Sequence, residues 1–121
     1  MVLDYLDFDY SDGGDGGDGD ESWDAMACVL PARLSAALRE VEVLLAWAHT
    51  EFGAPGEWRE WDFDLQCQQD GAVELGAVFL SEMSVLHCQP PAMNGGRCTL
   101  TLTLRGSPAF GAALRECFSI D

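Results

Sequence analysis

Two short phrases carry the same chemistry: Leu6-Asp7-Phe8-Asp9 near the start of the chain and Trp61-Asp62-Phe63-Asp64 at its middle. Each alternates a large apolar residue with a carboxylate. On an extended backbone this spacing puts both carboxylates of a pair on one face, about 7 Å apart, and both apolar side chains on the other. Carboxylates so paired bind cations, and the protein-borne cations that fit them are arginine and lysine. If the two strands are neighbours, Asp7, Asp9, Asp62 and Asp64 cluster on one exposed face. Like charges opposed across strands lower stability, so such a cluster points to a surface kept for binding. The competing reading is an ordinary solvated sheet face. Trp58 precedes Trp61 by three residues, which sets it on the opposite face of a regular strand, where it can stack on an incoming arginine or lysine.

A second acidic feature is the segment SDGGDGGDGDE, with five glycines and five carboxylates (Asp12, Asp15, Asp18, Asp20 and Glu21) in eleven residues. Backbone freedom combined with mutual repulsion disfavours any single conformation. Residues 11–22 are therefore expected to form a flexible loop that steers a cationic partner inward. Gly13-Gly14-Asp15-Gly16-Gly17-Asp18 satisfies half of a calcium-binding β-roll repeat, but those sites form between stacked repeats and only one copy is present. The oxygen-ligand spacing of an EF-hand is absent. A calcium- or metal-binding module, or a metal-dependent enzyme using the acidic loop, stands as the alternative from a different functional class.

Other potential ligands are dispersed. Cys28, Cys67, Cys88, Cys98 and Cys117 include no CxxC pair, and neither His49 nor His87 belongs to a spaced metal or nucleophile motif. Cys67, His87, Cys88 and Cys98 can converge only if the strands that carry them are adjacent. No catalytic constellation emerges, so no enzymatic activity, cofactor or metal is expected.

Charge narrows the partners. Twenty-one carboxylates stand against six arginines and no lysine, a formal net charge of -15, and nine of the first 24 residues are acidic. Nucleic acid and anionic membrane would be repelled, whereas a cationic protein surface would be attracted and its encounter accelerated. The opening residues lack the basic and apolar runs of a signal peptide, and no segment approaches the ~20 apolar residues of a membrane span. Five cysteines beside apolar runs are expected as buried free thiols in a reducing compartment, hence a cytoplasmic location. The function these features suggest is a small binding or inhibitor protein of the immunity type, neutralising a basic protein partner such as a nuclease toxin. The alternative binding role is a DNA mimic that offers surrogate phosphates to a DNA-binding protein. That role requires more rigidity than a glycine-rich loop supplies.

These residues must be held by a core, and 121 residues with 48% hydrophobic content suffice for a single domain over 1–121. Alternation predicts strands over Val2 to Tyr10, around Trp23-Ala25-Ala27-Val29, and over Trp58 to Gln68 with Trp61, Phe63, Leu65 and Cys67 inward. Pro31 to Gly53 reads as a helix with Leu34, Leu38, Val41, Leu45, Ala48 and Phe52 as its apolar stripe. Asp70-Gly71 marks a hairpin turn, with Val73 to Leu80 returning and continuing after a bend to His87. Cys98, Leu100, Leu102 and Leu104 alternate with threonines in a further strand. Ser107 and Pro108 then open a helix carrying Phe110, Leu114 and Cys117 or Phe118. The expected class is α+β, a mainly antiparallel sheet of about five strands in the order β-β-α-β-β-β-α with two helices packed on one face.

Overall fold

Alternating side chains divide the sheet into a dry face and a wet one. In the computed structural model, which describes residues 3–11, 21–56, 60–70, 73–80 and 85–120, strand β2 (Glu21–Val29) buries Trp23, Ala25, Ala27 and Val29 and exposes Asp24, Met26 and Cys28. Strand β7 (Cys98–Gly106) repeats the pattern, with Cys98, Leu100, Leu102 and Leu104 fully buried. Together with β1 (Asp7–Ser11), β3 (Trp61–Gln69) and β4 (Val73–Glu74) they form an antiparallel five-stranded sheet in the order β1-β2-β7-β3-β4. The late strand β7 thus lies at the centre, where leucine on one face and threonine on the other suit a strand with two strand neighbours.

Both helices cover the dry face. Helix α1 (Leu34–Phe52), entered through a 3₁₀ turn at Pro31–Arg33, buries Leu34, Ala37, Val41, Leu44, Leu45 and Ala48; α2 (Pro108–Phe118) buries Phe110, Leu114 and Phe118 in the same cluster. Phe110 joins the layers: its ring stacks on Trp61 at 5.7 Å and meets Phe52 edge-on at 5.2 Å. The ends are capped as their residue types demand. Gly53 takes φ 85° and donates its N–H to the His49 carbonyl, while Ser107 Oγ accepts from the Phe110 N–H ahead of Pro108.

The segment after β3 departs from expectation. Only Val73–Glu74 pairs with β3, although Leu75 N–H still reaches the Cys67 carbonyl at 2.9 Å. Gly76, at φ 61°, then turns the chain away. Val78–Leu80 (β5) pairs with Val85–His87 (β6) in a separate two-stranded ribbon, fastened to α1 by the Leu86 N–H bonding Glu42 Oε2 at 2.8 Å. The order is therefore β-β-α-β-β-β-β-β-α, with two more strands between the helices than expected.

Two buried polar side chains act as fasteners. Glu40, 7% exposed on α1, accepts from the backbone N–H groups of Asp4 at 2.8 Å, Tyr5 at 3.1 Å and Leu6 at 2.8 Å, which ties residues 4–6 to the helix. Gln69, 4% exposed, bonds the Ala92 N–H and carbonyl and the Gly96 carbonyl, and so orders the connection into β7. Among the described residues no helix is long and apolar enough to cross a membrane.

Candidate interaction surface

The wet face of the sheet is left uncovered by both helices, and its side chains lie in rows set by the strand register. One row runs Asp9, Asp24, Thr103, Asp64 across β1, β2, β7 and β3. Next to it lie Asp7, Met26, Thr101 and Gln66, and on the other flank Ser22, Arg105 and Asp62. Asp7, Asp9, Asp24 and Asp64 are exposed and Asp62 is half-buried. Strands about 4.8 Å apart put Asp9 and Asp24 side by side, with Asp64 two strands beyond Asp24 at roughly 10 Å.

The four aspartates expected to act together therefore share one face without abutting. β1 and β3 are separated by β2 and β7, so Asp7 and Asp9 stand on one side of the face and Asp62 and Asp64 on the other. Their separation follows from the insertion of β7 at the centre. Asp24, not singled out from the sequence, fills part of the gap, and its alternation with Trp23 and Ala25 was the available signal. Its Oδ1 accepts from Thr103 Oγ1 at 2.7 Å, which offsets part of the repulsion from Asp9. Asp62 Oδ1 accepts from the adjacent Phe63 N–H at 2.8 Å, and Arg105 is its cross-strand partner.

Trp58 and the loop residues Asp12, Asp15, Asp18 and Asp20 lie outside the described residues, as does the Gly13 to Asp18 motif. The strands reach further into the expected loop than its 11–22 boundaries: Ser11 belongs to β1, and Glu21 and Ser22 to β2. Glu21 faces the helices, where a side chain added at Gly111 would meet its carboxylate. On that same face the Arg115 guanidinium lies 4.7 Å from the Tyr10 ring and 4.9 Å from the Trp23 ring.

Three of the thiols considered as ligands do gather on the dry side. Cys67 and Cys98 are buried in the core cluster, and half-buried Cys88 packs against it with its Sγ directed at the Leu75 carbonyl at 3.6 Å. His87 is exposed on β6 and paired with Val78, and among the described residues no group of His, Cys, Asp or Glu is arranged to hold a metal ion. All five cysteines are free, and Cys28 is exposed on the wet face, contrary to the expectation of burial, because it alternates with Ala27 and Val29 on β2.

Burial, reinforced by the neighbouring thiols, pushes the Cys67 thiol from the ordinary value of 9.0 up to about 12, and burial also raises Cys88 and Cys98. In native protein at mildly alkaline pH, alkylation mapped by mass spectrometry should modify Cys28 first and Cys67 last. The same shift links stability to pH. A thiol whose folded pKa is raised retains its proton when the unfolded chain loses it, so stability is full below pH 9.0 and falls as pH climbs toward 12. Urea midpoints that stay constant across that window would contradict the assignment.

Comparison of the chain with family models, with curated proteins and with solved structures found no match.

Proposed function

We infer that this is a binding protein whose open sheet face receives a cationic surface of a protein partner, with the acidic loop accelerating encounter. The observation that carries the reading is the distribution of charge on that face. Asp7, Asp9, Asp24, Asp62 and Asp64 project from rigid strands, and Arg105 is the one cation beside them among the described residues. Asp9 and Asp24 oppose each other on an exposed face and lower stability, a cost that the Thr103 hydroxyl offsets only in part, so their benefit is sought outside the molecule. The specific role that fits is that of an immunity protein. It would act in a reducing cytoplasm and occupy the electropositive site of a basic toxin such as a nuclease, with no enzymatic activity of its own.

One observation favours a second reading. The carboxylates are seated on strands and not only on glycine-rich backbone, the rigidity that a DNA mimic needs to present surrogate phosphates to a DNA-binding protein.

Both readings are tested by binding a basic nuclease and a basic DNA-binding protein across a salt titration. Wild type is compared with the quadruple variant Asp7→Asn, Asp9→Asn, Asp62→Asn, Asp64→Asn. Desolvated charge pairs lose about 2 kcal/mol or more each when truncated, so binding should weaken at least ~30-fold at low salt. Equal affinity of the two forms at every salt concentration would reduce the acidic face to an aid to solubility.

A further inference from the structure

Negative charge is unevenly spread over the wet face. On the β1–β2 pair, Asp7, Asp9 and Asp24 have Met26, each other and Thr103 as strand partners. Of the two aspartates on β3, only Asp64, opposite Thr103, lacks a cation as strand partner, since Asp62 stands opposite Arg105 and already accepts from Phe63. The unbalanced charge therefore lies toward β1. That strand is the rim of the sheet, with β2 as its one strand neighbour among the described residues. A depression flanks the rim on each face. The one on the wet face, about 260 Å³, is lined by Asp7, Asp9, Asp24, Met26 and Thr101. The one on the helix side, about 360 Å³, is lined by Leu3, Leu6, Phe8, Phe118 and Ile120 together with the polar Asp7 and Ser119.

The geometry points to the outer edge of β1 as the docking line for an extended basic segment of the protein partner, added to the five-stranded sheet as one more antiparallel or parallel strand. This rests on the reading that the wet face receives a cationic protein, and it specifies how. An edge strand offers a row of backbone donors and acceptors, and strand addition uses them for affinity while side chains on alternate faces set specificity. Residues of the incoming strand on the wet side come within ~5.5 Å of Asp7 and Asp9, measured between Cβ atoms, and must be lysine or arginine. Those between them face the half-buried Phe8, which packs on the core with Leu3 and Leu6 beside it. The recognised pattern is thus basic, apolar, basic.

Charge also excludes the commonest competitor for an open edge. A second copy of this chain pairing through β1 would bring Asp7 and Asp9 against their own counterparts, so the carboxylates that attract a basic segment reject self-association.

The probe is a synthetic peptide alternating lysine and valine. Its control carries N-methyl groups on alternate amides, which keeps the charge and removes the main-chain donors. Both are titrated into the full chain while amide exchange is followed residue by residue. The alternating peptide should slow exchange of backbone amides within residues 7–11, and methylation should weaken its binding by about tenfold or more. Equal affinity of the two peptides, with perturbation centred on Asp24 and Asp64 and none at the β1 edge, overturns strand addition and leaves charge docking on the face intact. Failure of both peptides, while a basic protein still binds without protecting β1, has the same meaning. If neither peptide nor any basic protein binds, strand addition and the reading beneath it fall together.

Discussion

Replacing Glu40 by alanine is expected to lower unfolding free energy by about 3 kcal/mol, read as a fall of roughly 10 °C or more in melting temperature. Its carboxylate accepts from three backbone N–H groups of residues 4–6, and it is nearly buried. Hydrogen bonds to a charged acceptor are worth more than neutral ones, and removing the acceptor leaves the donors without partners at the edge of the core. Glu40→Gln should recover little, because an amide nitrogen turned toward N–H donors repels them. The local signature is as informative as the global one: amides of Asp4, Tyr5 and Leu6 should lose protection from exchange in the alanine variant. A loss below about 0.5 kcal/mol would show that the segment is held by Leu6 packing and not by the carboxylate.

The second large effect is kinetic and divides the acidic residues into two groups. Changing the loop residues Asp12, Asp15, Asp18 and Asp20 to asparagine should slow association with a basic partner by about tenfold at low salt and flatten its salt dependence, with dissociation little changed. Changing Asp24 and Asp64 on the sheet should act mainly on dissociation, since carboxylates desolvated against a partner's cation are lost as bound contacts. Neither set should damage the fold. Asp9 and Asp24 oppose each other directly, so Asp9→Asn should leave stability unchanged or raise it by up to ~1 kcal/mol. Stopped-flow association and surface-based dissociation measurements separate the groups. If the loop variant dissociates faster at an unchanged association rate, the loop grips the partner and does not steer it.

Much of this architecture can be read in the chain because its patterns are local. Trp23-Ala25-Ala27-Val29 and Cys98-Leu100-Leu102-Leu104 show their buried faces by alternation alone, and Ser107-Pro108 marks the start of α2. What escaped notice depends on distant partners. The ribbon of β5 and β6 has three residues per strand, too few for independent stability, and exists by fastening to Glu42 on α1, which no local pattern announces. Glu40 lies among the apolar positions of α1, where a carboxylate reads as a break in the stripe. Its partners are backbone amides, which every residue type except proline carries. The candidate surface was legible in its residue types and faces but not in its layout. Nothing near Asp62 or Asp9 indicates that β7, drawn from the end of the chain, will lie between their strands.

The fasteners of this fold have one more property in common. Glu40, Glu42 and Glu60 accept from backbone N–H groups or the Ser107 hydroxyl, and among the described residues the ion pair Arg39–Glu42 is a loose 4.0 Å contact. Carboxylates here hold the molecule together without needing opposite charges to do so. Mutation can therefore add or remove surface aspartates one at a time without breaking a structural ion pair, and the pattern of negative charge can change while the scaffold beneath it stays still.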